Sequence, residues 1–391
     1  MNNRWKYVPL VEAADICDSL RKPINSKERS KRIEGKNVNE LYPYYGATGQ
    51  VGYIDDYITD GEYVLLGEDG APFLDAFASK AYIISGKTWV NNHAHILRAK
   101  GNSKFLCYYL NSFNYKGYVS GTTRLKLTQA QMKQISVPMP SHDEQQRIVS
   151  HIEELFSSLD NAVETLQKTK EQLAVYRQAV LKEAFEGEYK RVPLGDISTI
   201  ISGYAFKSKK YDPNGKYVVV KIGNVKERHF DFSRDLTRTN EADDSILAKY
   251  LLQEGDCLIT QTGSRGKRDY GFVSMISDQT NYLLNQRVAA LRFNKEVAAP
   301  QFFQYYLSSP DYRDEFFSYE TGNVGQGNVG IKALSEPLVI LPSIEEQKII
   351  VKEIEARLSM CDSIEQTVNT ALLQAEAMRQ SILKEAFEGR L

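Results

Sequence analysis

One internal repeat constrains this chain more than any other feature. Leu181-Lys182-Glu183-Ala184-Phe185-Glu186-Gly187 returns without change as Leu383-Lys384-Glu385-Ala386-Phe387-Glu388-Gly389, an offset of 202 residues. At that same offset Pro140-Ser141 matches Pro342-Ser343, Glu144-Gln145 matches Glu346-Gln347, Asp160 matches Asp362, and Arg177-Gln178 matches Arg379-Gln380. A fixed register over so long a stretch means a duplicated unit rather than a chance match. Upstream, Val8-Pro9-Leu10 matches Val192-Pro193-Leu194 at offset 184, so the second globular part is the longer by 18 residues while the segments behind it keep their length. The organisation read from this is a first globular domain over 1–140, a long helix over 141–187, a second domain over 188–342 and a second long helix over 343–391.

The helical reading rests on caps and periodicity. Ser141 with Glu144, and Ser343 with Glu346, have the spacing of a capping box, which places helix starts near 142 and 344. Alternating steps of four and three from Ile148 land on Ile152, Leu155, Leu159, Ala162, Leu166, Thr169, Leu173, Tyr176 and Val180. The copy reads Ile350, Ile354, Arg357, Cys361, Ile364, Val368, Ala371, Ala375, Met378 and Ile382, so each segment carries one apolar seam of coiled-coil type. Gly187 and Gly389 stand where a left-handed terminal residue would close each helix. Some 44 residues of helix measure about 66 Å, and antiparallel pairing of two such rods would hold the preceding domains apart with an approximate two-fold relation. Between copies the polar residues Glu144, Gln145, Arg177, Gln178 and Lys182, with Phe185, recur as Glu346, Gln347, Arg379, Gln380, Lys384 and Phe387, while apolar seam positions drift. That distribution suggests one partner-docking surface presented twice.

Short β-like runs such as Tyr63–Leu66, Tyr82–Ile84, Tyr217–Ile222 and Asp256–Ile259, with turn signals and a few helices between them, make each domain α+β. Weaker likenesses keep their order. Phe105-Leu106-x-Tyr108-Tyr109-Leu110 parallels Phe302-Phe303-x-Tyr305-Tyr306-Leu307, and Asn91 through Leu97-Arg98 parallels Asn285 through Leu291-Arg292, so the domains share one fold with divergent loops. The loops hold the candidates for nucleic-acid contact. They are Tyr45 and Thr48 in one; Thr122, Thr123, Arg124 and Lys126 in another; Gln261, Thr262, Ser264, Arg265, Lys267 and Arg268 in a third; and Asn323, Gln326 and Asn328 in a fourth, the stretch that also contains Val324. Hydroxyls, amides and guanidinium groups on glycine-rich loops are the groups that meet phosphates and base edges. Basic residues also gather from Arg21 to Lys36 and at Lys207, Lys209 and Lys210, where a solvated face is an equal explanation.

The net charge of -1 excludes a sticky polyanion coat, so affinity for nucleic acid must come from local patches. Cys17, Cys107, Cys257 and Cys361 are scattered, which fits a reducing compartment and neither a disulfide framework nor a zinc site. The start Met1-Asn2-Asn3-Arg4-Trp5-Lys6 has no apolar signal core, and a cytoplasmic location is expected. His93-Ala94-His95 has strand-ligand spacing but no acidic or cysteine partner nearby in sequence, so no metal site is expected. Gly263-Ser264-Arg265-Gly266-Lys267 is too short for a phosphate loop, and no catalytic constellation stands out.

In its whole arrangement the chain resembles the DNA specificity subunit of type I restriction-modification systems. The resemblance is carried by Val137-Pro138-Met139-Pro140 before the capped Glu144-Gln145-Gln146-Arg147-Ile148, by Ile340-Leu341-Pro342 before Glu346-Gln347-Lys348-Ile349-Ile350, and by the repeated helix ends and Val-Pro-Leu entries. It implies two target-recognition domains, each reading half of a bipartite double-stranded DNA site, and paired helices that set the spacing and dock two modification subunits. Those partners would hold S-adenosylmethionine and methylate adenine, with a restriction subunit and ATP serving cleavage; this chain would be non-catalytic. A specificity subunit of a methyltransferase-nuclease system outside type I, or a protein-protein scaffold, are the alternatives.

Overall fold

The computed structural model describes residues 5–391 apart from 234, 241–242, 279–280 and 324. The Met1–Arg4 stretch and Val324 lie outside the described residues. The chain forms two compact units, Met1–Lys168 with Val368–Leu391, and Thr169–Thr367. Each unit therefore contains one α+β domain, part of the long helix that follows it, and part of the other copy's helix.

In the first unit a four-stranded antiparallel sheet runs in the order Ala14–Ile16, Ala94–Ala99, Tyr63–Gly67, Ala81–Ile84. The central strand Tyr63–Gly67 is buried along its whole length because both faces are covered. Side chains alternate across a strand, and they divide accordingly: Val64 and Leu66 pack with the helix Ser103–Ser112 through Phe105 and Leu106, while Tyr63 and Leu65 join Val90 and Ile96 in a second core. A second sheet, Gln50–Ile54, Tyr42–Tyr45, Lys87–Val90 and Thr59–Asp60, contains one parallel pair, Tyr42–Tyr45 beside Lys87–Val90.

The second unit repeats this plan. Its four-stranded sheet has the order Ser198–Ser202, Val288–Phe293, Cys257–Thr260, Val273–Met275, again all antiparallel. Cys257 and Ile259 face the core containing Phe302 and Phe303, and Leu258 faces the core on the other side. Its parallel pair is Tyr217–Val220 beside Tyr282–Leu284. The aromatic helices, Ser103–Ser112 and Pro300–Leu307, are core elements in both copies.

The long helices are His142–Ala184 and Ile344–Phe387. Ser141 Oγ accepts from Glu144 N–H at 3.3 Å, and Ser343 Oγ accepts from Glu346 N–H at 3.3 Å while Glu346 returns the bond to Ser343 N–H at 2.9 Å. Within each unit the two helical segments run antiparallel. In the first, Ile148, Val149 and Ile152 share a core with Leu383, Ala386 and Phe387, and further along Asp160 pairs with Arg379. In the second, Arg177 binds Asp362 at 2.6 Å and Glu365 at 2.7 Å, and further along Glu183 binds Arg357 at 2.8 Å. The Arg177–Asp362 and Arg379–Asp160 pairs are the same contact made twice at the repeat offset.

Two sequence readings of the helices need correction. The strict seam over-runs: Tyr176, Ile364 and Met378 are exposed, and Leu358 is buried where Arg357 was expected. A helix of 3.6 residues per turn drifts away from a 3.5-residue repeat, so Arg357 lies beside the seam and reaches Glu183 and the Tyr176 hydroxyl. The terminal glycines also differ. Gly389 takes φ 72 with Arg390 N–H bonded to Glu385 O at 2.9 Å, whereas the first helix stops at Ala184 and Gly187 is not its cap. Among the described residues no helix is long and apolar enough to cross a membrane.

Candidate nucleic-acid interface

Both domains build their loop face on the same backbone frame. In the first, Glu68 N–H donates to His93 O at 2.8 Å, Leu127 N–H to Glu68 O at 2.7 Å, and Asn91 N–H to Tyr45 O at 3.1 Å. In the second, Gln261 N–H donates to Arg287 O at 2.9 Å, Val329 N–H to Gln261 O at 2.8 Å, and Asn285 N–H to Val220 O at 3.2 Å. These bonds equate Glu68 with Gln261, His93 with Arg287, and the hairpin ending at Lys126 with the one ending at Asn328. The frame is constant and the side chains mounted on it differ.

In the first domain the loops enclose a cleft of about 740 Å³ lined by Gly46, Thr48, Asp69, Asn91, His93, Thr123 and Arg124, among others. Two separate sequence candidates, the 44–50 and 121–126 loops, thus meet at one place. Gly121 makes the hairpin possible: at φ 96 a side chain there would fall 2.4 Å from Arg124 O. Ser120 and Lys126 then exchange backbone hydrogen bonds at 3.0 and 2.8 Å. Thr48, Thr122, Thr123, Arg124 and Lys126 are exposed. Arg124 is held by Asp69 at 2.7 Å and Lys126 by Glu68 at 3.4 Å. Tyr45 lies half-buried with its ring 5.8 Å from that of Tyr82, and burial raises its hydroxyl above the ordinary value; it supports the loop from below.

In the second domain the short antiparallel pairing of Thr262–Gly263 with Gly327–Asn328 joins the other two candidate loops. Here the structure corrects part of the sequence reading. Gln261 and Thr262 are buried, with Gln261 Nε2 donating to Val329 O at 3.1 Å and the Thr262 hydroxyl to Asn328 Oδ1 at 2.9 Å. Their polar groups hold the loop pair together and are not free for base edges. Ser264 N–H is bonded to Asp269 at 2.7 Å, Arg265 donates to Gly322 O at 2.8 Å, and Arg268 pairs with Asp314 over the Phe317 ring. Arg265, Lys267, Arg268, Asn323, Gln326 and Asn328 are exposed.

Three residues on this face were not among the sequence candidates for nucleic-acid contact, His93 having been weighed only as a metal ligand. His93 and Asp69 line the first cleft, 3.6 Å apart, and Arg287 is the exposed counterpart of His93. The parallel between Asn91–Arg98 and Asn285–Arg292 already contained the signal, since it aligns His93 with Arg287 as an unlike pair between like neighbours. The basic run after Arg21 divides in two. Arg29 stacks on Tyr44 at 4.7 Å and Arg32 on Trp89 at 5.0 Å, so these two are packed into the fold; Arg32 and Lys36 bind Asp55 at 2.6 and 2.8 Å, with Lys36, Lys27 and Lys31 exposed.

Comparison with known proteins bears directly on this duplicated frame. The family model for the type I restriction modification DNA specificity domain matches the chain twice, over residues 3–174 and 186–374. This chain belongs to that family. It is 27% identical over 387 residues to a putative type I restriction enzyme specificity subunit of Haemophilus influenzae, covering 95% of this chain and 92% of the relative. It is 26% identical to the EcoKI specificity subunit of Escherichia coli over 74% of this chain and 66% of that one. Among solved structures, a chain described under complex assembly and conformational transition of the type I R-M system aligns with TM-score 0.71 at 16% identity, covering 99% of this chain and 98% of that one. The HsdS subunit from Thermoanaerobacter tengcongensis aligns with TM-score 0.57 at 17% identity, covering 100% and 98%. The reading of the chain as a type I specificity subunit, with two similar α+β domains and paired long helices, is borne out.

For a specificity subunit the repeated helix residues now sort by environment, and the idea that their identity marks exposed surface is corrected in part. Gln145 and Gln347 are buried at 3% and 0% exposure. Gln145 Oε1 accepts from Asn102 N–H at 2.9 Å and Gln347 Oε1 from Ala299 N–H at 2.8 Å, and each Nε2 donates to the carbonyl of the proline five residues before it. They tie each domain to its helix. Arg177 and Arg379 are spent on ion pairs, and Phe387 and Phe185 pack edge-on against Phe105 and Tyr109, and Phe302 and Tyr306. Glu346, Gln178, Lys182 and Lys384 are exposed; Glu144 and Gln380 are half-buried. Each unit has a matching cleft at this place: Lys384, Phe387, Tyr109 and Ser112 line one of about 710 Å³, and Lys182, Phe185, Tyr306 and Ser309 line one of about 330 Å³.

Proposed function

We propose that each domain of this specificity subunit reads one half of a bipartite, asymmetric double-stranded DNA site, and that the chain seats two copies of one modification subunit. The observation that carries the reading is the shared backbone frame fitted with unlike side chains: two readers of one design have different letters to read. In the first domain the reading side chains are Thr48, Thr122, Thr123, Arg124 and Lys126; in the second, Arg265, Lys267, Arg268, Asn323, Gln326 and Asn328. The cationic partners in the pairs with Asp69, Glu68 and Asp314 are exposed, so their charged ends can turn from these carboxylates to phosphate at small cost. The matched clefts beside Lys182 and Lys384 are the seats for the two modification subunits.

In this reading the methyl transfer takes place on the partners. They bind S-adenosylmethionine and receive an adenine turned out of the duplex; restriction subunits with ATP join them in the cytoplasm. The long helices fix the distance between half-sites, and half-sites met from one face of B-DNA lie on the order of 34 Å apart. Inserting seven residues after Lys168 and seven after Thr367 preserves the seam and adds about 10 Å of helix. The nonspecific gap should grow by about three base pairs with both half-sites unchanged, as read by methylome sequencing of cells expressing the complex. An altered half-site contradicts the ruler. A protein-protein scaffold is distinguished by salt, because DNA affinity through phosphate contacts falls steeply between 50 and 200 mM.

A further inference from the structure

In each domain the turn that leads from the parallel strand pair into the four-stranded antiparallel sheet holds one side chain with no role assigned so far. In the second domain it is Arg287, between Tyr282–Leu284 and Val288–Phe293; in the first it is His93, between Lys87–Val90 and Ala94–Ala99. Three observations single out Arg287. Its backbone lies in the left-handed region at φ 69, a conformation that costs a non-glycine residue free energy unless the surroundings enforce it. The surroundings do so from both sides: Arg287 O accepts from Gln261 N–H at 2.9 Å, Gln286 N–H donates to Tyr204 O at 2.9 Å, and Gly203 N–H donates to Val288 O at 3.1 Å. Gly203 is required for that approach, since a Cβ there would stand 1.8 Å from Asn285 O. The exposed guanidinium, finally, has no hydrogen bond or ion pair among the described residues, whereas Arg265, Arg268 and Arg124 on the same faces each have one.

We propose that Arg287 is a specificity-determining residue, which donates the two parallel N–H groups of its fork to one guanine of the second domain's half-site, and that His93 occupies the corresponding place for the first half-site. A fork on a backbone clamped to two loops and a sheet is pre-organised for bidentate contact with guanine O6 and N7. The Gln261 backbone, bonded on one side to Arg287 and on the other to Val329, sets this fork beside the Thr262–Asn328 loop pair. His93 carries an imidazole, which offers one hydrogen bond to a base edge where the guanidinium fork offers two, and it shares its cleft with Asp69, so the two half-sites differ at this base pair.

The inference rests on the DNA-reading function, and one experiment separates the two. The full chain, alone and in complex with its modification subunits, is used to select from a library of randomised duplex DNA, in parallel with Arg287→Asn, Arg287→Lys and His93→Asn. Asparagine tolerates the left-handed backbone, so Arg287→Asn removes the fork without forcing the turn, and matching thermal melts check the fold. The wild type should enrich a split motif. Arg287→Asn should make a single G·C position in one half degenerate, lowering its discrimination roughly tenfold to a hundredfold, with the other half unchanged. Arg287→Lys, which keeps the charge and loses the fork, should relax the same position, and His93→Asn should affect only the opposite half. An unchanged motif in both Arg287 variants overturns the proposal, as does an even loss of affinity over all sequences, which is the mark of a phosphate contact. If the wild type enriches no motif in either form, the DNA-reading function itself falls.

Discussion

Asp18 shows how single residues hold the loop frame. Its carboxylate accepts from His95 Nδ1 at 2.7 Å, from Ile96 N–H at 2.9 Å and from Gln129 Nε2 at 2.9 Å, with Arg21 at 3.2 Å. Burial pushes its pKa up, but the His95 hydrogen bond and charge, with the Ile96 and Gln129 bonds, outweigh this and hold it below the ordinary carboxylate value. A depressed folded value means that the stabilisation is present above the unfolded value, about 3.9, and is lost as pH falls through that value toward the folded one. Asp18→Asn should remove this acid dependence and cost about 3 kcal/mol at neutral pH, since His95 and Arg21 lose a buried partner; urea unfolding at several pH values reads both effects. Gln145→Ala and Gln347→Ala should each cost about 1–3 kcal/mol, because each strands a backbone N–H, of Asn102 or Ala299, that among the described residues only this amide reaches. Thermal melts should show the larger loss for Gln347→Ala, whose Nε2 also donates to Val297 O at 2.9 Å. In the sequence these glutamines stood out as conserved polar identities between copies, but their burial depended on Asn102 and Ala299, which are distant in the chain.

At the scale of elements, the helices were the most legible part of the sequence. Caps and periodicity are local properties, and the starts at His142 and Ile344 follow from them directly. The second half of each seam was less legible, because drift of a straight helix and packing against the aromatic helices decide which side chains are covered. Phe387 illustrates this: it ends a helix, yet its ring lies 5.2 Å from both Phe105 and Tyr109. Phe387→Ala should destabilise the first unit by about 3 kcal/mol and Phe185→Ala the second, with limited proteolysis showing earlier cleavage in the unit affected. The loops were legible by composition alone. Glycine, hydroxyl and guanidinium content marked loops that come together pairwise within each unit, but which side chains are free depends on cross-loop bonds. Thr262 with Asn328, and Gln261 with Val329, are examples that no local pattern reveals.

For the whole molecule, the duplication gives two frames with the same hydrogen bonds and different rims, and two helix ends with the same residues. Identity in the second and difference in the first are what a subunit needs if it reads an asymmetric site while seating like partners. The central claim is that each domain reads its own half-site. Methylome sequencing of cells in which this chain is expressed with its modification subunit tests it most directly. The account predicts one motif of two unlike half-sites separated by a gap of fixed length, with a modified adenine on each strand, and substitutions at Arg124 or Arg268 altering one half only. Scattered methylation, or one uninterrupted motif altered throughout by either substitution, would contradict it.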